Sequence, residues 1–173
     1  NSISISKILN ISCSISSNSD SSSDSSYDKH SHNNSNKKII ADKLHGKYVT
    51  LREVTVDDAD FILSLRCDKK KSMYLNETKN NKEAQIAYIK RYFSIPNEWY
   101  FISESNSGKK LGTVRIYDIQ GDSFCSGSWI MTDDANFQEI FETEYLLRMY
   151  GFNVLGFEKN HLDVRKENKK VTF

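Results

Sequence analysis

Three cysteines, Cys13, Cys67 and Cys125, are all that the 173-residue sequence contains. They are odd in number and far apart. Their spacing therefore fits neither a disulfide framework nor a zinc site, and a reducing, cytoplasmic setting is the expectation. Long hydrophobic runs are also missing: no apolar stretch approaches the ~20 residues that span a bilayer. The start, Asn1-Ser-Ile-Ser-Ile-Ser-Lys-Ile-Leu9, alternates isoleucine with serine but has neither an apolar signal core nor a small-residue cleavage site. Its first residue is not Met, which fits a processed or excised sequence. An excess of one charge sign is absent too, since 24 Lys and Arg against 23 Asp and Glu leave a formal net charge of +1. That balance argues against a polyanion-binding surface over the whole chain, so neither nucleic acid nor membrane is an expected partner.

Residues 1–36 lack nearly everything that builds a core. Ser, Asn and Asp dominate them, and Ser16 to Ser26 holds no apolar residue. Such a run cannot bury enough surface to offset the entropy of ordering the chain, so it reads as a disordered tail. Residues 37–173 are then the one domain, a size that allows a substantial core. Within the tail, Ile3, Ile5, Ile8, Leu9 and Ile11 form an apolar cluster that could make a short strand or helix against something else.

Beyond the tail, periodicity takes over. Tyr48 to Val54 alternates like a half-buried strand. Thr55-x-x-Asp58 has the form of a capping box and opens a helix with Ala59, Ile62, Leu65 and Arg66 at helical spacing. Lys69-Lys-Lys71 suits the negative end of that helix. After a turn through Asn76 to Asn81, a second helix runs from Lys82 to about Ile95, with Ile86, Ile89 and Phe93 on one face. Pro96, the one proline, stops it. Three strands follow, Glu98–Glu104, Lys110–Ile119 and Ser123–Thr132, joined by turns short enough for antiparallel pairing. A helix from Phe137 to Tyr150 is the crossover to a parallel strand, Lys159–Arg165. Glu167 to Phe173 begins another helical segment. The expected class is α/β (α+β), a mixed sheet with helices on its faces. The helix start after Thr132, with unpaired N–H groups and a positive dipole end, suits a phosphate-bearing ligand.

Several short motifs stand in a particular order along this frame: Leu51-Arg-Glu53, Asp57-Asp-Ala59, Leu65-Arg66, Tyr74-Leu75, Gln85, Tyr88-Ile89, Leu111-Gly112, Gly127-Ser-Trp-Ile130 and Leu162-Asp-Val-Arg-Lys-Glu-Asn168. From about Lys47 to Phe173 the chain resembles the GNAT N-acetyltransferases. It looks most like the branch holding ribosomal-protein N-terminal and amino-sugar-nucleotide acetyltransferases. The resemblance implies a fold in which two parallel strands, here Ser123–Thr132 and Lys159–Arg165, splay apart to admit the pantetheine of acetyl-CoA. Backbone groups of Trp129, Ile130 and Met131 would bond the pantetheine and polarise the thioester. The amides of Ala135 to Gln138, helped by the side chains of Asn136 and Gln138, would hold the pyrophosphate, and Asn168 would contact the cofactor. Family members often place a Glu on the third meander strand as base. Here Ser126 and Ser128 occupy that region and would orient a water that carries the proton, with Glu53, Asp122 and His161 as alternatives. No metal is expected.

Two departures from the family pattern are visible. The pyrophosphate loop usually carries glycines, whereas Thr132-Asp-Asp-Ala-Asn-Phe-Gln-Glu139 has none. Asp133 and Asp134 there either cap the next helix or oppose a phosphate, at ~1 kcal/mol for ~8 Å and an effective dielectric of ~40. The family's acid and last strands would lie beyond Phe173, so the domain is expected to be incomplete at its C-terminus. The acceptor is expected to be a small-molecule amine met by the loop Cys67 to Asn81, where Lys69-Lys-Lys71 would attract an anion. Tyr74, Tyr88, Tyr92, Trp99 and Tyr100 form a nearby aromatic region that suits sugar or base stacking as well as ordinary core. A nucleotide-linked amino sugar is the favoured acceptor, a protein N-terminus the alternative, and a non-catalytic remnant the reading from another class. Oligomeric state is not legible in the sequence.

Overall fold

A computed structural model describes residues 43–68 and 80–163. The serine-rich tail, Lys69-Lys-Lys71, Tyr74, the helix from Glu167 and Asn168 lie outside the described residues. The strands are β1 (Lys43–His45), β2 (Val49–Glu53), β3 (Trp99–Ser105), β4 (Lys110–Gln120), β5 (Ser123–Met131) and β6 (Lys159–His161). The α-helices are α1 (Ala59–Arg66), α2 (Lys82–Tyr92) and α3 (Phe137–Met149). The six strands form one sheet in sequence order, antiparallel throughout except for the parallel pair β5–β6. The meander and the parallel crossover are as the turn lengths and the α3 connection require. β1 is an addition to the expected set; a three-residue strand has too little pattern to be read.

Strand β3 shows why the sheet is buried on both sides. Its Trp99 and Phe101 join Leu51, Val114, Phe124 and Leu147 in the core beneath α3. Tyr100 and Ile102 point the other way, into a second core with Val54, Ala59, Ile62, Ile89 and Tyr92 beneath α1 and α2. An unbroken apolar run in a central strand is the signature of this two-sided burial. On α2, Tyr92 is fully buried while Phe93 is exposed, so the expected third core residue shifts by one position. The buried stripe runs through Gln85, Ile89 and Tyr92, and the helix ends at Tyr92, about one turn before Pro96.

A buried ion cluster pins β2 to the start of α1. The Asp58 carboxylate takes a fork from Arg52 at 2.7 and 2.8 Å, a second cation from Lys110 at 2.6 Å, and the Thr55 amide at 2.8 Å. The expected capping box is therefore present, with its acid recruited into a larger network. At the other side of the sheet, Glu142 of α3 accepts the backbone N–H groups of Lys47, Tyr48 and Val49 at 2.8, 2.6 and 2.8 Å. This ties the β1–β2 turn to the helix. Beyond α3 the helix widens into a π-helical turn, Tyr150–Val154, where Gly151 lies flat on the Phe124 ring. A Cβ there would sit 2.4 Å from a ring carbon. Among the described residues, no helix is long and apolar enough to cross a membrane, and no cluster of His, Cys, Asp and Glu could hold a metal ion.

Candidate functional site

The pairing of β5 with β6 stops early. Ser123, Phe124 and Cys125 face Lys159, Asn160 and His161, and the strand character of β6 ends there. Leu162 and Asp163 continue outside any strand, so Lys159–Arg165 is shorter than expected across its described part. β5 meanwhile runs on to Met131. Its segment Ser126–Met131 is bonded to β4 on one side and has no strand partner on the other among the described residues. A row of backbone N–H and C=O groups is thus presented at a fork between parallel strands, a place where an extended ligand can add its own polar groups.

Along that edge, β5 carries a bulge. Thr113 pairs with Ile130 but Arg115 pairs with Gly127, so three steps on β5 oppose two on β4. Ser128 absorbs the extra residue with φ of 51°, a left-handed conformation that costs a non-glycine residue about 1–2 kcal/mol. The Thr113 hydroxyl donates to the Ser128 carbonyl at 3.0 Å and helps to hold it. Gly112 lets β4 approach: a Cβ there would meet the Ile130 carbonyl oxygen and the Met131 sulfur, each at 2.4 Å. The bulge also changes which face each residue serves. Ile130 is buried, Met131 packs against the core under α3, and Trp129 is exposed.

The structure separates the two serines. Ser126 is buried, and its hydroxyl donates to the Glu144 carboxylate of α3 at 3.0 Å; Arg148 bonds the same oxygen at 2.8 Å. Asn160 of β6 stands 3.4 Å from the Ser126 hydroxyl and donates to the Phe124 carbonyl at 3.1 Å. Ser126 thus belongs to a polar brace joining β5, β6 and α3 at the fork. Ser128 lies beyond the brace, on the bulge. Sequence reasoning missed Glu144, Arg148 and Asn160; the Glu-x-x-x-Arg spacing on α3 was the one local signal for an ion pair.

At the start of α3 the N-cap is Asn136 rather than either aspartate. Its side chain accepts the Glu139 amide at 3.0 Å, and Glu139 accepts the Asn136 amide at 2.8 Å, completing a capping box. Asn136 outcompetes Asp133 and Asp134 because its extended backbone aims the side chain at the third helical amide. Ala135 N–H donates to Thr132 O at 3.3 Å. Of the four amides expected to face a phosphate, Phe137 and Gln138 are left without a bond among the described residues. The Asp134 carboxylate is paired with Lys109 from the β3–β4 turn, which offsets its repulsion toward an anion. The Thr132 hydroxyl, in the segment between β5 and α3, is buried without a hydrogen-bond partner among the described residues.

The remaining candidates are engaged elsewhere. Glu53 accepts the Tyr92 phenol at 2.6 Å, and burial, reinforced by that carboxylate, pushes the phenol's pKa up. Asp122 is paired with Lys159 at 2.7 Å, which holds its carboxyl below the usual range. His161 sits at the last paired position of β6. Its ring turns toward the β4–β5 turn, with Nδ1 2.7 Å from the Ser123 hydroxyl and Nε2 3.4 Å from Asp118. On the α2 face of the fork, Tyr117 pairs across from Cys125 and its ring lies over Gly127, the first residue of the bulge. Burial and the Cys125 thiol push its phenol up, so it stays protonated at neutral pH. Arg115 lies among the rings of Tyr88, Tyr100 and Tyr117 at 5.8, 5.1 and 5.4 Å and pairs with Glu98. The expected aromatic wall therefore divides: Tyr92, Trp99 and Tyr100 are core, while Tyr88 is half-buried beside Arg115.

A family profile for the acetyltransferase (GNAT) domain matches residues 49–172. Among solved structures, one described as apo FdhC, a nucleotide-linked sugar GNAT, is 35% identical with a TM-score of 0.64, over 72% of this chain and 73% of that one. Spermidine N-acetyltransferase from Vibrio cholerae, solved with CoA and spermine, superposes with a TM-score of 0.63 at 21% identity, covering 70% and 74%. A GNAT-family acetyltransferase from Bacillus anthracis gives 0.62 at 13%, covering 74% and 76%. These last two share the fold. No curated protein sequence matches the chain.

Proposed function

The chain belongs to the GNAT acetyltransferase family, and from that premise we propose that it transfers an acetyl group from acetyl-CoA to the primary amine of a nucleotide-linked amino sugar. The observation that carries the donor half is the end of β5–β6 pairing at Cys125, which leaves Ser126–Met131 with no strand partner on that side among the described residues, beside a helix start. The residues fit the donor. The free edge matches the two amides of pantetheine, and the amides of Phe137 and Gln138 match a phosphate. When bound, acetyl-CoA supplies an activated acyl thioester.

This chain's own groups then divide the work. Backbone N–H groups near Trp129, Ile130 and Met131 would stabilise charge on the thioester oxygen; donors placed for that purpose are worth roughly 3 kcal/mol of barrier. Asn136 shapes the helix start through its cap, Gln138 offers its side chain, and Asn168 is the proposed contact from beyond the described residues. Ser128 orients the water that removes the amine proton, whereas Ser126 positions β5 through Glu144. The Tyr117 phenol, over Gly127, would offer a hydrogen bond to the departing thiolate and keep its own proton.

The acceptor half is supported by the 35% identity to a nucleotide-linked sugar GNAT. Arg115, paired with Glu98, holds the rings of Tyr88 and Tyr117 beside it, an aromatic face that would suit stacking of a sugar or base. Calorimetric titration with acetyl-CoA tests the first half, and absence of binding at millimolar donor would reject it. Thiol release on adding amino-sugar nucleotides, peptides or polyamines tests the second. Release with peptides alone would move the acceptor to protein N-termini.

A further inference from the structure

The outer face of α3 carries an aromatic stripe that the cleft does not use. Phe137, Phe141 and Tyr145 recur every fourth residue and are 76%, 63% and 38% exposed. The first two stack with ring centres 6.1 Å apart. With Tyr48 from the β1–β2 turn, itself 38% exposed, they line a groove of about 230 Å³. Among the described residues its charged lining residue, Glu142, is turned onto the amides of residues 47–49, and the Lys47 ammonium lies over the Tyr48 ring at 5.1 Å, so the lining is otherwise mostly apolar. An amphipathic helix normally buries such a stripe. Here α3 buries the opposite one, through Thr143, Leu146 and Leu147.

We propose that the aliphatic segment Ile3–Ile15 of this same chain docks in the groove. Ile3, Ile5, Ile8, Leu9, Ile11 and Ile15 are the aliphatic residues of the first 36, and Ser16 to Ser26 follows them with none. The described chain enters the fold at Lys43, the edge strand whose following turn supplies Tyr48 as one wall. Residues 16–42 connect the two, and even an unstructured linker of that length spans on the order of 30 Å. The whole of α3 is only ~20 Å long. The other undescribed end leaves from β6, at the opposite edge of the sheet.

The size of the patch selects the occupant. Four aromatic side chains at these exposures leave ~400 Å² open. A stable interface between separate chains needs ~800 Å² per partner, so a second copy would be held poorly. A tethered segment works at an effective concentration in the millimolar range and needs no such area. The aromatic groove and the isolated aliphatic cluster thus account for each other, and docking does not depend on the acetyl-transfer reading.

The test replaces Phe141 with the photo-crosslinker p-benzoylphenylalanine in the full chain and irradiates a dilute mixture of ¹⁴N- and ¹⁵N-labelled protein. Mass spectrometry should find adducts joining position 141 to residues 3–15 within one isotopic chain. Combining Ile5→Ser, Ile8→Ser, Leu9→Ser and Ile11→Ser should lower the yield at least tenfold, while leaving residues 43–163 unaltered. Adducts between isotopes would assign the groove to a second copy and overturn the proposal. Adducts to residues 164–173, no protein adduct, or an unchanged yield in the serine variant would overturn it as well.

Discussion

Replacing Asp58 with alanine should be among the most damaging single changes in this domain, and the structure allows the size to be worked out. The carboxylate is 1% exposed and gathers Arg52, Lys110 and the Thr55 amide. Removing one member of a buried ionic group costs about 3–5 kcal/mol because its partners remain behind unpaired. Here the side chains of Arg52 and Lys110 are 17% and 33% exposed, so each orphaned cation regains some water. Arg52 also keeps Glu104 at 2.8 Å. The lower end, ~3 kcal/mol, is therefore expected, with loss of the capping box included. In urea unfolding this would be a large part of the ~5–15 kcal/mol available to a domain. The pH dependence gives a second, independent check. Burial opposes ionisation of Asp58, but Arg52, Lys110 and Thr55 together outweigh it and hold its pKa well below the usual carboxylate range. A depressed folded pKa stabilises above the unfolded value of ~4, and that stabilisation fades as pH falls below it. The gap between native protein and Asp58→Ala should thus narrow by ~1 kcal/mol from pH 7 to pH 3. A loss under ~1 kcal/mol at pH 7, or a gap that widens in acid, would refute the reasoning.

Glu142→Ala should cost ~2 kcal/mol in denaturant melts, since it strands the buried Val49 amide. Amide exchange at residues 47–49 should accelerate with it. Gly151→Ala should cost ~1–3 kcal/mol through its collision with the Phe124 ring, read as a lowered melting temperature. At Ser128, with its φ of 51°, glycine should match or slightly raise stability, because relief of ~1–2 kcal/mol of strain is partly offset by glycine's chain entropy. Ser128→Val should lower stability by ~2 kcal/mol and weaken acetyl-CoA binding in the same calorimetric assay.

What was legible in the sequence follows a physical divide. β3, β4 and β5 could be read because their turns are short and their burial is written in side-chain alternation. Asp58 and Thr55 could be read because a capping box is local, spanning four residues. The Ser126–Glu144–Asn160 brace joins residues 18 and 34 positions apart, and no pattern along the chain records which hydroxyl meets which carboxylate. The same holds for Glu142, whose amide partners lie more than 90 positions upstream. Aspartates near a helix start looked like caps, yet the cap is the residue just before the first helical one, and α3 begins at Phe137, which makes it Asn136.

The fork itself explains why side-chain motifs serve this chain poorly as a guide to its site. The bulge at Ser128 arises from one unmatched residue between β4 and β5, and glycine at 112 is needed for the strands to come close beside it. Neither feature is a reactive group. A bulge bends the strand that carries it, and this one lies just beyond the three residues that pair with β6 among the described residues. On the proposed function the donor would be held mainly by main-chain amides, at the β5 edge and at the first turn of α3, and main-chain amides are the same in every sequence. A loop without glycine can still offer them, because the helix start presents Phe137 and Gln138 whatever their side chains are, and Lys109 answers Asp134. In that proposal side-chain identity matters most at Ser128 and Tyr117, which would guide the amine proton and hydrogen-bond the departing thiolate. A Tyr117→Phe variant should therefore keep the donor affinity of the native protein and lose turnover, whereas Ser128→Val should lose both.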